Sequence, residues 1–205
     1  MMTRKLHHKA AAAMLAVLLH ISPGSTAAEA QPPAISFTAR VSEESNVEGP
    51  DVRRTYFSIG AKRMAFGVPK GCRLSSDEGG FVLLPPRNSL DGEIRIGRSD
   101  FTPDFDLAAN ALKYRDAASA DIPKGATNVS VEQPVLNVFP YNGWRSLRFT
   151  WSYSLYGRPL VRTVTFLNLE IGVQMVVTTV AAKTDAEKIS EIARQFMRSW
   201  WVMAG

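Results

Sequence analysis

The sequence predicts an α+β domain in which an antiparallel β-sheet is flanked by helices. Three observations favour this class. Strand-like alternation runs through residues 145–156, two further strand-like segments follow after short turns, and an amphipathic helical pattern covers residues 184–200. The composition is globular, since 45% of the 205 residues are hydrophobic and 21% are charged. We therefore expect a layered domain whose C-terminal helix packs on the sheet.

Residues 1–30 have the features of a secretory signal peptide. Basic residues begin the chain, an apolar run covers residues 10–21, and small residues suited to a signal peptidase stand at 28–30. The run is too short for a bilayer core that needs about 20 apolar residues. We expect cleavage before Gln31, with cleavage after Ala28 as the alternative. The product is expected in a bacterial periplasm or outside the cell, with no transmembrane segment.

Histidine is confined to this leader, at His7, His8 and His20. A mature chain without histidine excludes Ser-His-Asp and Cys-His catalysis, as well as histidine-ligated zinc, copper and non-haem iron. The only cysteine, Cys72, excludes an intramolecular disulfide and is expected to be a buried or inert thiol. The sequence predicts no cofactor and no metal ion.

The charge of the chain does not indicate a nucleic-acid partner. Loss of the leader removes three basic residues and one acidic residue, which lowers the formal net charge from +5 to +3. The remaining basic residues are scattered and form no run. A solvated surface of mixed sign is expected.

The mature chain is predicted to have two parts. Residues 31–52, rich in Pro, Ser and Glu, are expected to form a flexible lead-in, and residues 53–205 a single globular domain. That domain begins with short apolar runs at residues 56–59 and 64–68. Strands near residues 81–84 and 93–97 and a helix over roughly 103–118 follow.

Acidic residues at the start of that helix, Asp100, Asp104 and Asp106, are expected to cap its N–H groups. Two short strand candidates follow the helix, at residues 128–132 and 135–139.

The C-terminal third carries the clearest periodicity. In residues 145–156 apolar side chains alternate with polar ones, which predicts a strand with a core face and a solvated face. Return strands at 160–167 and 173–180 complete an antiparallel meander. The final helix begins with a capping box, Thr184 to Glu187, and its apolar stripe is expected to lie on the sheet.

This succession of elements resembles the PsbP-like superfamily, whose members include PsbP proteins of photosynthetic membranes and DcrB-type bacterial envelope proteins. The resemblance covers about residues 53–202. It is carried by Ala65–Gly71, by the aromatic meander that opens at Gly143-Trp144, by the Tyr156-Gly157-Arg158-Pro159 turn, and by the helix ending at Trp200. It implies an α/β/α sandwich and a non-catalytic envelope role in assembling or stabilising membrane complexes. It carries over no site residue.

Aromatic residues concentrated in the last third supply the candidate binding site. Three of them, Trp151, Tyr153 and Trp200, are expected in the core. Three others lie in a turn, on the polar side of a strand and at the edge of the helical stripe, and they would form an amphipathic binding patch if exposed together. This candidate patch contains Trp144, Tyr156 and Trp201, rimmed by Arg145, Arg148 and Arg158.

The function predicted from these features is that of a secreted, non-catalytic accessory or binding protein that acts through an envelope protein partner. Two alternatives stay open. One is a carrier of a small apolar ligand held between the terminal helix and the sheet. The other is a hydrolase that uses carboxylates alone, for which Asp100, Asp104 and Asp106 form the densest acidic group. The oligomeric state is not predicted.

Overall fold

The computed structural model describes residues 34–44, 52–76, 79–86, 89–99, 106–139, 143–169 and 173–203. All of them belong to one compact unit, Pro32–Gly205. The predicted signal peptide, residues 1–30, lies outside the described residues, as do Asp100 and Asp104.

Strands dominate the described residues and form two antiparallel sheets. The small sheet has the order β1-β2-β3-β12, and the large sheet has the order β4-β5-β6-β11-β10-β9-β7, with β8 also paired to β9. The strands of the small sheet are β1 (Ile35–Glu44), β2 (Val52–Ile59), β3 (Lys62–Phe66) and β12 (Trp201–Val202). Those of the large sheet are β4 (Arg73–Ser76), β5 (Gly80–Leu84), β6 (Gly92–Arg98), β7 (Thr127–Val131), β8 (Val135–Leu136), β9 (Arg145–Leu155), β10 (Arg158–Leu169) and β11 (Val173–Ala182).

Two helices are present in the described residues, α1 (Ala111–Ser119) and α2 (Ala186–Arg198). One face of the large sheet shares a hydrophobic core with α2 and the small sheet, and the opposite face shares a second core with α1. The predicted α/β/α sandwich is therefore wrong. The small sheet covers part of the large-sheet face that the sandwich would cover with helices alone. Helix α2 packs on that face as expected.

Aromatic rings join the two sheets. Phe37 and Phe57 from the small sheet contact Phe81 of the large sheet with ring centroids 5.3 and 5.2 Å apart, each edge-on. Phe196 of α2 contacts Phe66 at 5.5 Å and Phe81 at 6.5 Å. All five rings are almost fully buried, so these edge-to-face pairs fix how the small sheet, the large sheet and α2 meet.

The segment predicted as a flexible lead-in contains strand β1, Ile35–Glu44. Apolar residues alternate there, at Ile35, Phe37, Ala39 and Val41, and β1 pairs with β2 in antiparallel register. Phe37 is only 4% exposed. Burial of this one large ring, together with the strand pairing, orders a segment whose Ser and Glu content indicated mobility.

Helix α1 starts later than predicted, at Ala111 rather than near 103, after a turn over residues 107–110. Asp106 accepts hydrogen bonds from the N–H groups of Ala108 and Ala109, both at 3.1 Å. The carboxylate therefore caps this preceding turn and not the helix itself, because Asn110 is the N-cap residue of α1.

The meander agrees with its prediction. Continuous antiparallel pairing joins β9 to β10 and β10 to β11. The apolar stripe of α2 is buried at Ile189, Ala193, Phe196 and Met197. The capping box is absent, since Asp185 is the N-cap and makes no side-chain cap bond. Its carboxylate instead accepts a hydrogen bond from the Asp91 N–H at 2.9 Å.

Candidate functional site

The outer face of the small sheet gathers arginine and aromatic side chains. Directly paired residues of antiparallel strands point to the same side, and the register pairs Arg40 with Tyr56, and both Tyr56 and Trp201 with Ala65. Phe57 and Met64 point to the opposite side, into the core. We call this outer surface the basic–aromatic face; it consists of Arg40, Arg54, Tyr56, Arg63 and Trp201.

Two arginines of the basic–aromatic face lie over aromatic rings. The Arg54 guanidinium carbon is 5.1 Å from the centroid of the Trp201 ring, and that of Arg63 is 5.5 Å from the centroid of the Tyr56 ring. Such cation–π contacts contribute about 0.5–1 kcal/mol at exposed sites. Trp201 remains 41% exposed, and the other three residues are half-buried. The rings therefore help to hold the two guanidinium groups in place.

The small sheet carries an excess of positive charge. Its strands contain five basic residues and two acidic ones. The acidic pair, Glu43 and Glu44, stands at the end of β1, opposite Arg53 and Val52. The Tyr56 and Trp201 end of the face is thus lined by arginine, and it would attract an acidic surface.

The aromatic residues of the candidate patch are not brought together. Trp144 is buried, 7% exposed, and packs edge-on against Trp200 with centroids 6.3 Å apart. Tyr156 is 94% exposed in the turn after β9, where its φ of 51° is left-handed. Trp144 and Tyr156 flank the two ends of the 11-residue β9, which are roughly 35 Å apart at the usual rise per residue. Trp201 alone lies on the basic–aromatic face.

The three predicted rim arginines also separate. Arg145 lies 3.6 Å from the Asp106 carboxylate, and Arg158 forms an ion pair with Asp91. Arg148 is half-buried beside α2. The predicted core aromatics Trp151, Tyr153 and Trp200 are buried, at 3%, 4% and 3% exposure, which confirms their assignment.

Sequence reasoning missed Arg54, Tyr56 and Arg63 as members of one surface. The signal was present: residues 54, 56 and 58 alternate with the apolar Phe57 and Ile59, and Gly60 follows where a hairpin turns. Gly60 adopts a φ of 56°, a left-handed conformation that favours glycine. Pairing across this hairpin sets Arg63 beside Ser58 and places both on the outer face.

Cys72 is half-buried against the core that contains α2. Burial raises the pKa of its thiol, which lowers the thiolate fraction and hence its reactivity. Among the described residues, no group of three His, Cys, Asp or Glu side chains could hold a metal ion.

The described residues bear directly on the carrier alternative, and on the hydrolase alternative only through Asp106. The cavity between α2 and the large sheet measures about 20 Å³, enough for a water molecule but not for an apolar ligand. Of the three acids proposed for hydrolysis, only Asp106 is described, and its carboxylate caps a turn. Neither described helix is long and apolar enough to span a bilayer.

No family model matches the sequence, and no curated protein is significantly similar to it. Solved structures of similar outline include LpqN of Mycobacterium tuberculosis, involved in cell envelope biogenesis, with 16% identity, a TM-score of 0.47, and coverage of 81% of this chain and 92% of that one. The Ran-binding protein Mog1p of Saccharomyces cerevisiae has 13% identity and a TM-score of 0.42, over 80% and 96% of the two chains. Protein PA94 of Pseudomonas aeruginosa, of unknown function, has 11% identity and a TM-score of 0.43, over 80% and 99%. At these values no function is transferred to this chain.

Proposed function

We propose that this chain is a non-catalytic binding protein of the bacterial envelope, which contacts an acidic surface of a protein partner through the basic–aromatic face. The observation that carries the proposal is the pair of partly exposed arginine–aromatic contacts, Arg54 on Trp201 and Arg63 on Tyr56, on one face of one sheet. Trp, Tyr and Arg are the residues that most often dominate the binding energy of protein interfaces.

Preorganisation strengthens this assignment. Ordering a long side chain on binding costs about 0.5–1.5 kcal/mol, and a guanidinium already held over a ring loses less of its freedom. The rigid fork of arginine also matches carboxylates in a bidentate way. An acidic partner would therefore find two arginines preset at a spacing fixed by β2, β3 and β12.

The envelope location is supported by the leader. Its basic start, apolar run and small residues at 28–30 are the features read by the secretion machinery. The resemblance of the meander and terminal helix to PsbP-like and DcrB-type proteins supports a non-catalytic envelope role. A mature chain without histidine, beginning at Gln31, supports the absence of catalysis.

Native mass spectrometry of the protein isolated from its own cell envelope tests the proposal. We expect a complex with a second chain, which dissociates as salt is raised because the contact is electrostatic. The complex should be lost in the double variant R54Q/R63Q and weakened in W201S. It should persist in Y156A, which removes an exposed aromatic outside the basic–aromatic face.

Two results would overturn the proposal. One is a monomer with no bound partner for the wild-type chain at low salt. The other is a complex that R54Q/R63Q leaves as stable as wild type. Circular dichroism of each variant checks that its fold is retained.

A further inference from the structure

A second group of basic side chains lies between α2 and the meander. Arg148 of β9 and Arg194 of α2 line the small cavity there. Three buried threonines, Thr163, Thr165 and Thr179, come from the adjacent strands β10 and β11 and line the same cavity.

Strand register explains why these polar groups converge. Thr165 pairs with Arg148 across β10 and β9, and Thr163 pairs with Thr179 across β10 and β11. Paired residues share a face, and this is the face that α2 covers. The solvated face predicted for β9 is therefore partly enclosed: Ser146 is fully buried and Arg148 is half-buried.

The two guanidinium groups are incompletely satisfied. The buried Nε atoms of Arg148 and Arg194 have no hydrogen-bond partner. Arg194 forms an ion pair with Glu191 at 2.6 Å, whereas within the described residues no carboxylate lies at ion-pair distance from Arg148. Two like charges with buried donors and hydroxyl neighbours form an environment that an anion would stabilise.

The electrostatics of Arg148 agree with this geometry. Burial lowers the pKa of its guanidinium, and the positive charge of Arg194 lowers it further, against an opposing effect of Glu132. The charge of Arg194 therefore disfavours the charged form of Arg148, and a negative charge between the two guanidinium groups would offset that repulsion.

We propose that this cleft, between Arg148 of β9 and Arg194 of α2, binds one small oxyanion group such as phosphate or sulfate. The threonines and Ser190 supply hydroxyl donors, and the two guanidinium groups supply charge and paired N–H donors. The cavity of about 20 Å³ is the size of a water molecule, so it encloses about one oxygen atom of the anion and leaves the rest of the group at its mouth. Both arginines reach solvent, so the remainder of a larger phosphorylated ligand would extend outward.

Calorimetric titration of the mature chain with sodium phosphate, at ionic strength held constant with sodium chloride, tests the proposal. We expect saturable binding of one phosphate per chain, competed by sulfate. Losing one charge-assisted contact should weaken binding roughly tenfold or more in R148Q and in R194Q. R158Q is the matched control, because Arg158 is an exposed arginine paired with Asp91 outside the cleft and should bind phosphate as wild type does.

The melting temperature without phosphate separates binding from a structural role. R148Q should melt at or above the wild-type temperature, since it removes one of two like charges and breaks no ion pair of the described residues. Only wild type and R158Q should melt at a higher temperature when phosphate is added. A parallel titration with a phosphomonoester identifies the source of the group: tighter binding of inorganic phosphate indicates the free ion, and tighter binding of the ester indicates a larger phosphorylated ligand. The proposal is overturned if wild type shows no saturable binding, or if R148Q binds phosphate as tightly as R158Q.

Discussion

Three polar side chains form a hydrogen-bonded network in the core under α1. The Gln174 amide nitrogen donates to the Tyr114 hydroxyl oxygen at 2.7 Å and to the Asn168 side-chain oxygen at 2.9 Å. A buried amide loses several kcal/mol of hydration free energy. Removing its hydrogen-bond partner therefore costs more than the net contribution of that hydrogen bond to stability. The network ties α1 to β10 and β11.

Replacing Tyr114 by phenylalanine should lower the free energy of unfolding by about 1–2 kcal/mol, because a buried amide N–H loses its acceptor. Urea denaturation measures the change. Y156F is the control: Tyr156 is 94% exposed, so its loss of a hydroxyl should change stability by less than about 0.5 kcal/mol. Equal stability of Y114F and wild type would mean that the amide finds another partner.

Sequence patterns predicted the burial of single residues unevenly. Trp151 and Tyr153 alternate regularly within β9, and their burial follows from that period. Trp144 precedes the strand in a turn, where no period indicates a direction, and it is buried because Trp200 lies against it. The basic–aromatic face escaped prediction for a related reason: Arg54 and Trp201 are almost 150 residues apart in the sequence, and only the pairing of β12 with β3 brings them together.

Helix α2 approaches the large sheet closely at one glycine. A Cβ atom at Gly92 of β6 would lie 2.8 Å from Ile189 Cγ1 and 3.0 Å from the Cβ of Ala181. Both neighbours are buried, so neither can move without disturbing the packing of α2. The absence of a side chain at this position sets how near the helix can come.

Gly92→Ala should therefore destabilise the fold by about 1–3 kcal/mol through overpacking. Gly125→Ala provides the matched control, since its Cβ would meet only Leu155 Cδ1 at an ordinary 3.8 Å. Thermal denaturation of both variants measures the difference. If the two substitutions lower the melting temperature equally, the close contact between α2 and β6 does not explain the loss of stability in Gly92→Ala.

Elements with a long, regular period were predicted well, and short or mixed ones were not. The meander and the stripe of α2 carry uninterrupted alternation or helical spacing. In α1 only nine residues are helical, and the turn capped by Asp106 looks like a further helical turn in sequence. In β1 the apolar residues do alternate, but the Pro, Ser and Glu content of residues 31–52 outweighs that pattern in a prediction from sequence; the strand pairs with β2.

The fold differs from the predicted class because local periodicity does not indicate which element packs against each face of a sheet. The same alternation of apolar and polar residues is found whether a helix or a second sheet covers the apolar face of a strand. Here Phe37, Phe57 and Phe66 bring the small sheet onto the core that α2 also covers. The number of sheets therefore could not be predicted from the sequence, although most of the strands could.

Because Phe37 belongs to the shared core, we expect β1 to stabilise the domain predicted for residues 53–205. Phe37 stacks on Phe57 at 5.9 Å and meets Phe81 edge-on at 5.3 Å. A variant beginning at Arg53 loses this ring and the pairing of β1 with β2, so its free energy of unfolding should fall by more than about 3 kcal/mol, the least that a buried Phe-to-Ala change typically costs. A variant beginning at Pro32 retains β1 and should unfold as the chain beginning at Gln31 does. Urea denaturation of the three chains, followed by Trp fluorescence, measures this; equal stability of all three would show that residues 53–205 fold without β1.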